Sequence, residues 1–180
     1  AIICKPININ GAKLAYEFKL NRPDTLRAVQ MYFPQMLDSV SQIPFKLTVW
    51  NQINGLPGDI LCSQTVYPIH TENGEYHTYY IQQPFKVIGS FYVGWEQTTD
   101  DLLNIGLDKN YQANNYMIYN VGNGWTSSSY LGSWMIRPLL SLNDLSSSLA
   151  NIKTELRVFP NPASSQLFVE SNNVNNIISI

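Results

Sequence analysis

The sequence predicts an all-β protein, and specifically an antiparallel β-sandwich. About nine or ten short segments alternate apolar and polar residues, with turn-forming residues between them. In the segment 44–51, for example, Phe45, Leu47 and Val49 share one side of a strand. Two packed sheets explain why so many strands have one apolar face. A jelly-roll strand order is preferred and an immunoglobulin-like order is the alternative, because strand order cannot be derived from one sequence.

Most of the predicted strands are delimited by proline, glycine and asparagine. Turns are expected at 21–24, 54–59 and 70–75, and prolines are expected to end strands at Pro34, Pro68 and Pro84. Pro138 predicts that the last strand lies at an edge of its sheet or is ending. The predicted strands are 13–20, 25–33, 44–51, 60–67, 76–82, 116–121, 125–130 and 133–140, together with two in the stretch 89–108.

The stretch 89–108 contains the most distinctive residues, and it predicts two buried strands joined by an acidic loop. Phe91, Val93 and Trp95 alternate on one face, so Trp95 is expected in the core. Gly94 and Gly106 remove a side chain within the strands, which indicates a bulge or the close approach of another backbone.

The composition is typical of an extracellular β-protein. Charged residues make up only 13% of the 180 residues, about half of the usual share, and amide and hydroxyl side chains replace them. The net charge of −2, with no run of Lys or Arg, argues against nucleic acid as a partner. The apolar runs are too short to span a membrane, so no membrane insertion is expected.

The residue pattern divides the chain into three parts. Residues 1–140 form the sandwich module, the Ser- and Asn-rich residues 141–155 form a linker, and residues 156–180 form a short β segment. Because the chain opens on Ala1 rather than Met, we expect a processed product or an excised piece.

The C-terminal segment 156–171 reads LRVFPNPASSQLFVES, with Phe159-Pro160-Asn161-Pro162 followed by a short apolar strand. It resembles the opening of the C-terminal sorting domain of the Bacteroidetes type IX secretion system. Two prolines around one residue exclude helix and give a stiff extended turn. The resemblance implies a secreted or cell-surface protein that is exported by the type IX machinery and lies outside the outer membrane. Such domains continue through further strands, so the segment 156–180 is expected to be truncated. The body of the chain has a fainter resemblance to accessory sandwich modules that precede such sorting domains.

Aromatic residues supply the candidate ligand-binding surface. Aromatic rings that lie flat on a sandwich can pack against sugar rings while amide side chains donate and accept hydrogen bonds. The alternative is that these rings pack in the core and at its rim. The candidates are Trp50, Trp125, Trp134 and Tyr130.

The acidic loop supplies a candidate Ca²⁺ site, because carboxylate and amide oxygens are the ligands that Ca²⁺ prefers. The alternative is that these side chains form hydrogen bonds within loops. The candidate ligands are Asp100, Asp101, Asn104, Asp108 and Asn110. No other cofactor is expected.

Cysteine and histidine give weaker hypotheses. A metal site at Cys62, His70 and His77 would lack a fourth ligand, and surface histidines are the ordinary interpretation. Cys4 and Cys62 are either a disulfide, which would fit export, or two separate thiols.

The preferred function is a non-catalytic accessory or adhesion module of an exported, cell-surface protein, with a glycan or a surface protein as partner. Carbohydrate binding through surface aromatic residues is the alternative. A glycoside-active enzyme is third, because glycosidases need only two carboxyl groups, and Glu96 with Asp100, Asp101 or Asp108 would supply them.

Overall fold

The computed structural model describes residues 10–34, 43–71, 74–100 and 103–140, and the backbone of 156–159 and 168–171. It has an all-β, antiparallel architecture, which confirms the predicted fold class. The strands are β1 (Lys13–Met31), β2 (Phe45–Ile53), β3 (Leu56–Val66), β4 (His77–Gln97), β5 (Leu107–Asp108), β6 (Met117–Asn120), β7 (Trp125–Ser127), β8 (Ser133–Trp134), β9 (Ile136–Leu140), β10 (Leu156–Phe159) and β11 (Phe168–Ser171). A short 3₁₀ helix occupies Asn114–Tyr116. The described part of the chain holds no helix with the length and apolar character needed to cross a membrane.

The chain divides into two compact units, residues 1–142 and 143–180. In the first unit, seven strands form one curled sheet in the order β3-β2-β4-β1-β6-β7, with β9 beside β1. Strands β5 and β8 form a separate two-stranded sheet. In the second unit, β10 pairs with β11, which places Phe159 opposite Phe168.

Two long bent strands give the sheet its curl, and here two predictions were wrong. Residues 21–24 are not a turn, because β1 continues through them with a register shift between Leu20 and Asp24. Pro84 does not end a strand, because β4 also continues through it. Leu26 pairs with Phe85 and Ala28 pairs with Tyr80, so residues 81–84 bulge out opposite Arg27. A bulge tolerates proline because the ladder hydrogen bonds are already interrupted there.

The bends fold the sheet around the larger of its two buried clusters. The first half of β1 pairs with β6 and with the second half of β4, whereas its second half pairs with β9 and with the first half of β4. Side chains from both halves meet in a single buried cluster, as in a sandwich-like fold. Trp95 belongs to this cluster, as predicted. Its largest fully buried members include Phe33, Phe45, Phe91, Leu26, Met31 and Leu47.

The β2–β3 hairpin follows from its turn residues. Asn54 and Gly55 have φ angles of 53° and 80° and connect the paired residues Ile53 and Leu56. Positive φ at both central residues is the two-residue hairpin geometry that Asn-Gly favours. The predicted turn at 54–59 is therefore shorter than expected, since β3 already begins at Leu56.

The two strands expected in the stretch 89–108 belong to different sheets. Strand β4 ends at Gln97 in the large sheet, and β5 pairs with β8. The acidic loop therefore connects two sheets, and it leads into β5, beside which a pocket lies.

Candidate ligand-binding site

A pocket of about 600 Å³ lies beside the β5–β8 sheet. This volume is in the range of small-molecule sites. The lining combines an aromatic ring, a carboxylate, an ammonium group and an amide with two apolar side chains. The lining residues are Tyr32, Gly74, Leu107, Asp108, Lys109, Asn110 and Met135.

Backbone hydrogen bonds join the three segments that form the back of the pocket. The N–H of Tyr32 donates to the carbonyl of Met135 (3.1 Å), and the N–H of Met135 donates to the carbonyl of Gly106 (2.9 Å). The N–H of Gly106 donates in turn to the carbonyl of Tyr32 (2.9 Å). A Cβ at Gly106 would lie 2.5 Å from Cδ1 of Tyr32, so the close neighbour of this glycine is a side chain and not the backbone that the sequence predicted. This cycle of hydrogen bonds fixes Tyr32 and Met135 relative to β5.

A tight turn presents the polar side of the pocket. Asp108 ends β5, and its Oδ1 accepts a hydrogen bond of 2.8 Å from the backbone N–H of Asn110. This contact holds the chain in a turn that Asp commonly initiates. The side chains of the intervening Lys109 and of Asn110 are exposed, so three consecutive polar residues face the pocket and its mouth.

A stacked pair lies near the carboxylate of Asp108. The guanidinium carbon of Arg137 lies 4.1 Å from the centre of the Tyr76 ring, in cation–π geometry. Burial raises the pKa of Tyr76, the charge of Arg137 opposes this rise, and the charge of Asp108 adds to it. Tyr76 is therefore a neutral hydroxyl group at pH 7, flanked by a cation and an anion.

Three exposed tyrosines, which we call the tyrosine rim, lie on two loops after β5 and β7: Tyr111, Tyr116 and Tyr130. The N–H of Ala113 donates to the carbonyl of Gly132 (2.8 Å), which joins the two loops, and the N–H of Tyr116 donates to the carbonyl of Ala113 (3.0 Å). Tyr111 directly follows Asn110 of the pocket.

Beneath the rim, the hydroxyl group of Tyr16 lies 2.8 Å from Oγ of Ser133, the residue paired with Asp108. Burial raises the pKa of Tyr16, the hydrogen bond with Ser133 lowers it, and the nearby hydroxyls of Tyr111 and Tyr116 raise it further. The rim therefore adjoins the same β5–β8 sheet that carries the pocket.

The predicted tryptophan surface is not formed, and this part of the sequence interpretation requires correction. Trp50 is 2% exposed and Trp134 is 3% exposed, so neither can present a flat ring face to a sugar. Trp125 is partly buried against Trp50, with ring centres 5.7 Å apart. Of the four predicted residues, only Tyr130 is exposed, at 38%.

The predicted Ca²⁺ ligands are divided among several places. Asp108 and Asn110 line the pocket, whereas Asp100 accepts a hydrogen bond of 2.8 Å from the backbone N–H of Asn10. Asn104 is partly buried near the start of β5, and Asp101 lies outside the described residues. Within the described ranges, no three Asp, Glu, His or Cys residues are grouped to hold a metal ion. Ca²⁺ binding by this loop stays a prediction.

Histidine and cysteine have local partners. Nδ1 of His70 lies 3.0 Å from the carbonyl of Phe33, and the ring of His77 packs edge-on against Tyr79. Burial lowers the pKa of His77, which keeps its imidazole neutral at pH 7. Cys62 is partly buried and has no disulfide within the described residues; Cys4 lies outside them, so the pairing of the two cysteines stays a prediction.

Glu96 is held by two lysines on the outer face of the large sheet. Its carboxylate lies 3.0 Å from Nζ of Lys46 and 3.5 Å from Nζ of Lys13. Burial raises the pKa of Glu96, but the hydrogen bonds and charges of Lys46 and Lys13 together outweigh it, so the pKa lies below its usual value. A general acid needs the opposite shift.

The predicted sorting motif is described only in part. Phe159 ends β10, and Pro160, Asn161 and Pro162 lie outside the described residues.

Sequence reasoning missed most of the pocket. Lys109 belongs to a polar loop that the sequence identified, so the sequence did indicate its neighbourhood. Tyr32 and Met135 are brought to the pocket by the contact between the ends of β1 and β8, which no sequence pattern indicates.

Comparisons with protein families, with curated proteins and with solved structures find no match for this chain.

Proposed function

We propose that residues 10–140 form a non-catalytic accessory or adhesion module of an exported, cell-surface protein, and that its ligand binds in the pocket at Asp108. The observation that carries this proposal is the pocket itself. Its volume is in the range of small-molecule sites, and its lining combines an aromatic ring, a carboxylate, an ammonium group and an amide. Backbone hydrogen bonds hold the segments at its back together. The low pKa of Glu96 supports a structural rather than an acid-catalytic role for the carboxyl that the glycosidase hypothesis requires.

The proposed cellular location depends on the C-terminal segment. The sequence Pro160-Asn161-Pro162 connects two strands, β10 and β11, that pair in antiparallel fashion. An aromatic residue, Pro-Asn-Pro, a small residue and then a strand is the order in the sorting domains that this segment resembles, and Phe159 to Ala163 followed by β11 has the same order. The resemblance supports the proposal that the protein lies at the cell exterior, with the type IX secretion machinery as the partner of this segment.

A carbohydrate is the ligand class that the lining favours. Sugar hydroxyls both donate and accept hydrogen bonds, so a carboxylate, an ammonium group and an amide on one turn can satisfy several of them. The ring of Tyr32 and the side chains of Leu107 and Met135 offer apolar contacts for the C–H faces of a sugar. If the protein binds carbohydrate, we therefore expect the sugar in this pocket and not on the buried tryptophans.

A glycan array probed with the full 180-residue chain tests the ligand. Binding to at least one saccharide is expected, and Asn110→Ala should weaken it by about tenfold, since a lost hydrogen bond costs about 1 kcal/mol or more. Asn110→Ala keeps the backbone N–H that holds the turn at Asp108. Asn123→Ala, at an exposed turn between β6 and β7, is the matched control and should leave binding unchanged. Equal binding by wild type and Asn110→Ala would remove the pocket from consideration.

The cellular location is tested in a separate experiment. The full chain, placed behind an export signal and extended at its C-terminus by the further strands of such a sorting domain, is expressed in a bacterium with a type IX system and in a strain that lacks the system. Surface labelling is expected in the first strain only. Equal labelling in both strains would contradict the assignment.

A further inference from the structure

We propose that the tyrosine rim extends the pocket into a longer groove, so that the ligand is an oligosaccharide chain rather than a single sugar. The inference rests on the proposed carbohydrate function of the pocket and adds further subsites to it. These subsites would be formed by Tyr111, Tyr116 and Tyr130.

The rim is continuous with the pocket through the chain itself. Asn110 lines the pocket and Tyr111 is the next residue. The loop then runs through the 3₁₀ helix to Tyr116, and the hydrogen bond from Ala113 to Gly132 attaches the loop that carries Tyr130. A ligand that extends from the pocket along this loop would therefore meet the three rings.

The exposure of the rim is the second observation. Tyr111 is 66% exposed and Tyr116 is 51% exposed. Single exposed apolar residues are ordinary, whereas three large exposed rings on two loops joined by a backbone hydrogen bond offer contact area to a ligand. Backbone hydrogen bonds hold both loops, which reduces the ordering cost when a ligand binds.

The composition of the two loops favours a neutral sugar chain. Among residues 109–116 and 128–132, Lys109 alone carries a charge, and the residues between the rings are mainly amides and hydroxyls. The amide and hydroxyl side chains are Asn110, Gln112, Asn114, Asn115, Ser128 and Ser129. Rings for the C–H faces of sugars, alternating with neutral hydrogen-bonding groups, match the repeating chemistry of an uncharged oligosaccharide.

The test measures affinity against chain length. The full chain is titrated by calorimetry with oligosaccharides of glucose, mannose, galactose and xylose, each from one to six residues long. In the series that binds, affinity is expected to rise with length until the rim is covered. Tyr111→Ala and Tyr116→Ala should each reduce the affinity for long chains by roughly three- to tenfold while leaving the affinity for the single sugar unchanged.

Tyr80→Ala is the matched control, because Tyr80 is 71% exposed on β4 and does not belong to the rim. Circular dichroism establishes that each variant is folded. If single sugars bind but affinity does not rise with length, or if the rise persists in both rim variants, the inference is overturned and the pocket function stands. If no member of any series binds, the carbohydrate function falls together with the inference, and a protein partner becomes the occupant of the rim.

Discussion

The side chain of Gln64 on β3 bonds to the backbone of Gln82 on β4: its Oε1 accepts a hydrogen bond of 3.1 Å from the N–H of Gln82. Its Nε2 also donates to the carbonyl of Tyr80 at 2.8 Å. One side-chain amide thus pairs with two backbone groups in the region where β4 bulges away from β1. Gln64 is 9% exposed and faces the core side of β3, so it links the edge of one half of the curled sheet to the bulge in the other half.

We expect Gln64→Leu to lower the free energy of unfolding by about 1–3 kcal/mol, because both backbone partners on β4 lose their hydrogen bonds. Gln52→Leu, at an exposed position on β2, is the matched control and should change stability by less than about 0.5 kcal/mol. The measurement is urea unfolding followed by tryptophan fluorescence. Equal midpoints for the two variants would show that water replaces the amide without cost.

Gly94 permits the close pairing of β4 with β1. A Cβ at this position would lie 1.8 Å from the carbonyl oxygen of Leu14, which belongs to the backbone and cannot rotate away. We expect Gly94→Ala to cost about 3 kcal/mol or more, or to prevent folding, because the two longest strands would have to separate.

Gly122→Ala is the comparison for Gly94→Ala. A Cβ there meets no atom within 4 Å, but φ is 101°, so the cost should be about 1–2 kcal/mol of backbone strain. Thermal unfolding of both variants measures the difference. A smaller loss for Gly94→Ala than for Gly122→Ala would contradict the close approach.

The ion pairs of Glu96 predict a loss of stability in acid. The pKa of Glu96 is lower in the folded state than in the unfolded state. The ion pairs therefore contribute to the free energy of unfolding above the unfolded-state pKa, near pH 4.3. This contribution is lost as the pH falls through the lower folded-state pKa. Since the pairs are partly solvated, we expect the contribution to be at most about 1 kcal/mol.

Glu96→Gln should therefore have a lower urea midpoint than wild type at pH 7 and the same midpoint near pH 2. At pH 7, 1 M salt should reduce the difference between the two midpoints. Urea midpoints at the two pH values measure this change. If the midpoints of wild type and variant differ by the same amount at pH 2 and pH 7, the ion pairs do not cause the difference.

The buried hydroxyl group of Tyr92 predicts a loss of stability in alkali. It donates a hydrogen bond of 2.6 Å to the carbonyl of Gly55, and burial, followed by the charge of Glu17, raises the pKa of Tyr92 to about 12. The contribution of the neutral phenol is complete below pH 10, the usual value, and is lost as pH rises through about 12.

Tyr92→Phe should cost about 1 kcal/mol at pH 7, since the hydrogen bond is removed, and should reduce the alkaline loss. Tyr119→Phe on β6 is the matched control. Unfolding midpoints at pH 7 and pH 11 provide the measurement, and a steep alkaline loss that persists in Tyr92→Phe would point to another group.

The candidate site was predicted less well than the fold. Asp108 and Asn110 were singled out because oxygen ligands cluster there, and both line the pocket. Trp50 and Trp134 were singled out because aromatic rings bind sugars, and both are buried. A strand pattern indicates which residues share a face, but it does not indicate which face another layer covers. Tyr111 lies outside any predicted strand, so alternation said nothing about it, and Tyr116 was expected to begin a strand but ends the 3₁₀ helix instead.

The sequence by itself determined the all-β class, the core position of Trp95 and a turn that begins at Asn54, because alternation and turn chemistry are local properties of the chain. The tertiary structure alone decided that β1 and β4 run through both halves of the sheet, that Gln64 bonds to the bulge in β4, and that Tyr32 meets Met135 beside Asp108. These relationships depend on which strands become neighbours. Packing and backbone hydrogen bonds between residues far apart in the sequence determine which strands pair. The pocket and the tyrosine rim form only when these strands have paired.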